Sequence, residues 1–436
     1  MQEKQNNTSL VWFTNDLRVH DNDVLNQAIL ENNHIIAAYC FDPRQFKIDE
    51  FGFKKTEKFR AQFLIETIQN LKANLKKINI ELFVFVELPE KCIPKLITKH
   101  KINTIYLQNQ WTYEEQIVFK NLKKVLSKSL YYKTYYNQFL YHPDNINMAI
   151  SNIPKVFTDF RKHVEKHSIV KNINLNNNIK AIENIDNSTK IPTLQDLGFK
   201  DFKTHLNTAF PFKGGEDEAL KRLKYYFFET KKLGFYKKTR NGLIGTDFSS
   251  KFSPWLANGS VSAKTIYWEV KQFEKEHFKN QSTYWLIFEL IWRDYFKYIS
   301  LKHGNTIFKI GGILNKIYDW NYDKSLIQNW INGETKSQFV NANMIELKKT
   351  GWMSNRGRQN VASFFAKDLK LDWRIGAAYF ESLLIDYDVH SNYGNWMYVS
   401  GVGNDPRDRK FNVALQAERY DANGKFQNLW LQETLF

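Results

Sequence analysis

The sequence predicts an α/β domain built on a doubly wound parallel sheet, then a connector, then an all-α domain. Three observations predict this. Short apolar runs alternate with helical patterns over residues 1–135. That alternation is lost over 136–205, and 206–436 reads as helix almost throughout once Gly214 and Gly215 are passed. The length of 436 residues suits two or three domains of roughly 100–200 residues each.

The first domain begins with strands. Residues 9–13, 34–41, 80–86 and 104–107 are apolar runs of strand length, which marks buried strands. Between the second and third, Phe59, Phe63, Leu64, Ile68 and Leu71 recur at helical spacing and predict a helix over 58–77. Strand–helix alternation implies parallel pairing. No Gly-x-Gly-x-x-Gly is present, so the ordinary dinucleotide fingerprint is missing. Residues 172–187 are rich in Asn, Ile and Lys without an amphipathic face, and read as a surface connector. The helical half holds most of the 12 Trp residues, among them Trp255, Trp268, Trp285, Trp292, Trp320, Trp330, Trp352, Trp373 and Trp396.

Composition narrows the function. Apolar residues make up 43% of the chain, ample for a core, and aromatics reach 16%. A coding bias toward Phe, Tyr, Lys, Asn and Ile accounts for part of that excess; flat partners or redox use account for the rest. Net charge is +16, so a polyanion is the expected partner, nucleic acid before membrane. No apolar run is long enough to span a bilayer, and the polar start lacks a signal-peptide stretch. Cys40 and Cys92 are the only cysteines and imply no disulfide framework. A soluble, cytoplasmic protein is expected.

Four motifs carry chemistry. In Ser249-Ser250-Lys251-Phe252-Ser253-Pro254, Ser253 is a good N-cap and Pro254 a good first helical residue. Free N–H groups there, with two hydroxyls and a lysine upstream, suit a phosphate; an ordinary capped helix suits the pattern as well. In the segment 285–296, Trp285, Phe288, Glu289, Trp292, Arg293 and Phe296 share one helical stripe. Charges on a core-facing stripe are costly unless paired or used. Either Glu289 and Arg293 form a salt bridge, or the stripe walls a pocket for a flat heterocycle. In the third motif, Ser354 or Asn355 can cap a helix, Arg358 can pair with a carboxylate, and Ala362 and Ser363 permit close approach of a ring. In the fourth, Asp386 and Asp388 are neighbouring acids in an aromatic context, with no His or Cys at ligand spacing, so no metal is expected. His163 and His167 lie among charges and read as a solvated helix face. No Gly-x-Ser-x-Gly, Walker loop or His-Glu-x-x-His occurs.

Taken together these motifs resemble the photolyase/cryptochrome family, most closely its cryptochrome-DASH branch. The resemblance covers nearly the whole chain. It includes Trp12-Phe13-Thr14-Asn15-Asp16-Leu17-Arg18 at the start, Asn355-Arg356-Gly357-Arg358-Gln359-Asn360, the Asp386 and Asp388 pair, Gly394-Asn395-Trp396, and Gly401-Val402-Gly403-Asn404-Asp405-Pro406-Arg407. The family usually has Arg where Thr14 stands.

The resemblance implies a folded FAD in the helical domain. Tyr236, Ser249, Ser250, Lys251, Phe252 and Ser253 would hold its phosphates and ribityl region. Glu289, Arg293, Asn355 and Arg358 would line the flavin pocket, Asp386 and Asp388 would face the ring and its linked polar edge, and Asn392 would face N5. Trp396, Trp373 and Trp320 match the family's electron-transfer chain. The implied reaction is light-driven splitting of cyclobutane pyrimidine dimers by an electron from reduced FAD. Glu289, Trp292 and Asn355 would contact the lesion. Gln359 stands where the duplex-repair enzymes have Met, and Tyr398 where they have a second Trp. Both changes reduce apolar contact with a flipped lesion, so single-stranded or looped-out DNA is the expected substrate. The implied antenna is methenyltetrahydrofolate, contacted by Glu115 in the first domain, and a monomer is expected.

The leading alternative is a blue-light receptor or regulatory DNA-binding cryptochrome with little repair activity. The chain's end at Phe436, soon after the last motif, argues against a signalling tail. A thermal flavin oxidoreductase would need a nicotinamide or substrate site, and none is visible.

Overall fold

The computed structural model describes residues 5–173 and 185–432, so most of the 172–187 connector lies outside the described residues. Five strands form one sheet: β1 (Gln5–Trp12), β2 (Asn32–Cys40), β3 (Glu81–Phe85), β4 (Ile102–Gln108) and β5 (Tyr131–Tyr135). Their order is β3-β2-β1-β4-β5 and every neighbouring pair is parallel. Helices α1 (Asp23–Glu31), α2 (Lys58–Lys77), α3 (Pro89–His100) and α4 (Tyr113–Val125) supply the crossovers.

Helices cover both faces of the sheet, which explains the unbroken apolar runs. Leu10, Trp12, Ile36, Ala38 and Cys40 belong to one buried cluster; Val11, Phe13, Ile35, Ala37 and Tyr39 belong to the other. The four expected strands and the 58–77 helix are present. The fifth strand escaped the sequence because it is an edge: Tyr131 and Thr134 are exposed, so no apolar run marks it. Cys40 and Cys92 are free thiols with Sγ atoms 3.4 Å apart.

The helical part comprises α5 (Phe157–His167), α6 (Glu216–Lys224), α7 (Tyr236–Thr239), α8 (Ser253–Ala257), α9 (Ala263–Glu276), α10 (Gln281–His303), α11 (Lys324–Asn332), α12 (Gln338–Thr350), α13 (Asn355–Ser363), α14 (Trp373–Leu383), α15 (Val389–Ser400), α16 (Val413–Tyr420) and α17 (Lys425–Leu431). At 23 residues, α10 is the long axis of this part. Asn280 caps it in a reciprocal capping box with Thr283. One expectation fails locally. Ser253 is the first residue of α8 rather than its cap; Phe252 holds the cap position and no side chain bonds the free N–H groups there. On the solvated face of α5, His167 is exposed and His163 is half-buried, its Nε2 lying 2.8 Å from the Ile146 carbonyl.

A buried polar seam joins the sheet domain to the helices. Arg18, 2% exposed, donates to the carbonyls of Asp21, Gly259 and Asn137. Lys264 on α9 pairs with Asp21 at 2.9 Å and Asp23 at 3.2 Å. Glu216 on α6 accepts from the backbone N–H groups of Val19 and His20. Asp294 on α10 accepts from the N–H groups of Leu140 at 2.9 Å and Tyr141 at 2.8 Å. Buried charges are tolerated only when satisfied in this way.

Asp294→Ala strands those two N–H groups and leaves Arg293 short of a counter-charge. It is expected to cost ~3 kcal/mol, read as a drop in the midpoint of thermal unfolding. An unchanged midpoint would mean the seam is not a stability element.

Candidate active site

One cavity of about 470 Å³ gathers all four sequence motifs. From α10 come the half-buried Phe288, Glu289, Trp292 and Arg293 and the buried Leu286, Leu290 and Phe296, while Ile287 and Ile291 are buried away from it. The expected stripe is therefore the cavity wall, although Trp285 sits just outside it. The loop before α8 adds Ser249, Ser250, Lys251 and Phe252, followed by Ser253. From α7 and the residue after it come Tyr236 and Arg240. Ser354 caps α13 by accepting from the Gly357 N–H at 3.0 Å. That helix start presents Asn355, Arg358 and Gln359 to the cavity. Asp386, Asp388 and Tyr398 close it.

Ion pairs organise the walls. Glu289 does not pair with Arg293, the alternative the sequence left open; its partner is Arg240, at 2.7 Å. The Glu289 side chain keeps 29% of its surface open to the cavity, yet it lies deep in the protein. Burial pushes its carboxyl above the usual range, against the opposing pull of Arg240. Arg293 instead donates to the carbonyls of Gln138 and Leu256.

Asp386 and Asp388 do not act as a pair. Asp386 bonds Arg358 at 3.0 Å. Asp388 bonds Lys297 at 2.9 Å and caps α15 through the Ser391 N–H. Burial alone would raise the Asp388 carboxyl, but Lys297, His390 and Arg293 outweigh it and hold it far below the usual range. Among the described residues no cluster of His, Cys, Asp and Glu could hold a metal ion.

Lys251 is unusual in two ways. It adopts the left-handed region, at φ 64°, and it is 4% exposed. Its Nζ lies 4.7 Å from the centre of the Trp352 ring. Burial pushes its ammonium down and the carboxyl of neighbouring Glu346 up.

The stacking residues are partly spoken for. Trp292 lies face to face with Phe157, at 3.7 Å between centroids and 11° between planes. Tyr398 meets its ring edge-on at 5.9 Å. One face of Trp292 is thus covered by α5. Gln359 accepts from Arg356 at 2.9 Å. Asn392 is buried on α15 and donates to the Ala377 carbonyl at 3.0 Å; it is not among the residues that line the cavity.

The three tryptophans form a gradient of burial. Trp396 and Trp373 are buried and Trp320 is half-buried. The Trp396 ring lies over Gly376, where a Cβ would come within 2.3 Å of it, one turn along α14 from Trp373. Its ring neighbours are Phe380, Phe365 and Trp330.

A second cavity, about 560 Å³, lies between the sheet domain and the helices and shares Ala257, Arg293 and Asp388 with the first. Glu115 lines it beside Glu114 and Glu381. Burial raises the Glu115 carboxyl to about 7, helped by those two acids and opposed by its own backbone N–H and Lys55. Thr14 sits in a smaller crevice past the ends of β1 and β4, where Gln110 donates to its hydroxyl at 3.2 Å.

Sequence reasoning missed Arg240, Lys297, Glu346 and Phe157. Arg240 and Lys297 carried a signal, since each follows a chosen residue (Tyr236, Arg293) by four. Glu346 and Phe157 arrive from distant helices and carried none.

Residues 9–178 match the family described as DNA photolyase, and 285–435 match the FAD binding domain of DNA photolyase. The cryptochrome DASH of Gloeobacter violaceus is 44% identical over 98% of this chain and 86% of that protein. The cryptochrome DASH of Danio rerio is 45% identical over 98% of this chain and 83% of its own. The crystal structure of a Synechocystis cryptochrome superposes with a TM-score of 0.94 at 44% identity, covering 99% of this chain and 90% of that one. A class III photolyase from Agrobacterium tumefaciens, at 23% identity and TM-score 0.84, shares the fold.

The cavity fits FAD chemically. Asp386 Oδ1 is buried without a hydrogen-bond partner, an acceptor left for a ligand donor. Lys251 brings a cation and Ser249 and Ser250 bring hydroxyls, groups that would suit its phosphates, while Arg358 holds Asp386 at the same cavity. Lys251→Gly removes the cation while suiting the left-handed backbone. The expected outcome is a severalfold lower flavin-to-protein absorbance ratio with no loss in the unfolding midpoint of the apoprotein. Full flavin retention would remove Lys251 from the binding set.

Proposed function

The chain belongs to the photolyase/cryptochrome family, and from that premise we propose that it repairs cyclobutane pyrimidine dimers in single-stranded or looped-out DNA under blue light. The observation that carries this reading is a single cavity lined both by the residues matched to FAD and by Glu289, Trp292 and Asn355, matched to the lesion. The chemistry that FAD supplies when reduced and excited is one electron, lent to the dimer and returned, with no net redox change.

The protein's part is binding, orientation and electrostatics. Burial raises the Glu289 carboxyl, which favours its donating a hydrogen bond to a lesion carbonyl in place of its pairing with Arg240. Trp292, held flat by Phe157, offers its remaining face and edge to the dimer. Asn355 lies at the exposed start of α13, where its amide can both donate and accept. Gln359 and Tyr398 make the far wall polar. Flipping a dimer from intact duplex costs a few kcal/mol, and this wall offsets less of that cost than an apolar one.

On the same reading Trp396, Trp373 and Trp320 carry electrons inward from the surface to keep FAD reduced, and Asn392 is the amide assigned to N5. The cavity between the domains is assigned to a methenyltetrahydrofolate antenna contacted by Glu115. No helix among the described residues is long and apolar enough to cross a membrane.

The test is light-dependent repair by the purified, reduced protein on single- and double-stranded oligonucleotides bearing one thymine dimer. Repair of the single strand alone supports the proposal. No repair of either, with flavin bound and photoreducible, supports the receptor or regulatory reading. Glu289 sets the pH dependence: its carboxyl is raised above the ordinary value, so the donor is present below that raised pKa and lost as pH rises through it. Repair by the wild type should fall toward alkaline pH, whereas Glu289→Gln, a donor at every pH, should give a flat profile. A flat wild-type profile would exclude the acid-donor role.

A further inference from the structure

We propose that residues 231–248, with Tyr225 and Phe278 packed against them, form a stacking surface for the unpaired nucleotides next to the lesion. This inference rests on the DNA-repair reading and extends it from the dimer to its flanks.

Five large apolar side chains crowd this segment half-exposed: Tyr225 at 37%, Phe235 at 55%, Ile244 at 38%, Phe248 at 45% and Phe278 at 40%. They belong to one stretch of surface. The Phe278 ring rests on Gly234, beside Phe235, and the Phe248 ring rests on Gly242. The Tyr225 hydroxyl donates to Asp247, the residue before Phe248, at 3.1 Å. The stretch begins at the cavity rim, because Tyr236, Arg240 and Gly242 line the 470 Å³ cavity.

Charge identifies the occupant. Residues 231–248 contain five cations, Lys231, Lys232, Lys237, Lys238 and Arg240, against one carboxylate, Asp247. Asp247 is already held by Arg222 and Lys232. Lys231 and Lys238 are exposed and in no ion pair among the described residues. A protein partner would call for a continuous apolar patch. Here the half-exposed rings are interspersed with the free Lys231 and Lys238 ammoniums, which suits a strand that alternates flat faces with phosphates. A duplex keeps its bases stacked inside and cannot use such rings; a single strand can.

The test compares wild type with the Phe235→Ala/Phe248→Ala double variant on two substrates, a thymine-dimer dinucleotide and a single strand of about ten nucleotides carrying the same dimer. The variant should lose about tenfold or more in KM on the longer strand, the scale of one lost base–ring stack. Its KM on the dinucleotide and its kcat on both should match wild type, and Phe235→Tyr/Phe248→Tyr should restore the longer-strand KM. Equal KM values for variant and wild type on the longer strand would overturn the proposal. If wild type repairs neither substrate, the repair reading fails by itself. The surface is then read by fluorescence anisotropy with undamaged single-stranded DNA: weaker binding by the variant supports it, and equal binding overturns it.

Discussion

The structure depends on keeping charge inside α10. This helix runs through the core with Leu286, Ile287, Leu290 and Ile291 fully packed, yet it carries Glu289, Arg293, Asp294 and Lys297. Each charge costs several kcal/mol unless satisfied. The partners that satisfy them come from everywhere else: Arg240 after α7, the carbonyls of Gln138 and Leu256, the N–H groups of Leu140 and Tyr141, and Asp388 at the head of α15. Meeting these demands fixes the segment after the sheet, α8, and the head of α15. The cavity is what remains between the elements so fixed.

That arrangement also sets acids of opposite character on the walls of one cavity. Glu289 and Asp388 both lie deep in the protein and both face a cation. Burial prevails for Glu289, whose one guanidinium partner is balanced against a large desolvation cost. For Asp388, three positive or polarisable neighbours prevail instead. One site therefore holds one carboxyl raised above the usual range and one held far below it.

The two cavities share Arg293, Asp388 and Ala257, which form the wall between them. Arg18, Asp21, Lys264 and Glu216 lock the sheet domain against the helices with buried ion pairs and backbone bonds. Directional contacts of this kind fix distance and orientation more tightly than an apolar interface would, and that precision matters to any exchange of energy or electrons across the seam.

The sequence by itself determined the two-part architecture, four of five strands, the 58–77 helix and many of the residues that line the cavity. Those features are written in local periodicity and in motif spacing, which the chain carries wherever it folds. It also named Glu289, Arg293, Arg358 and Asp386, all of which line the cavity. Tertiary structure alone decided the pairings. Glu289 meets Arg240 rather than Arg293, Asp386 and Asp388 turn to different cations, Phe157 covers a face of Trp292, and β5 joins as an edge without an apolar run. In each case the partner comes from a separate element, and the choice was made by which buried charge or ring face needed covering once the helices had packed.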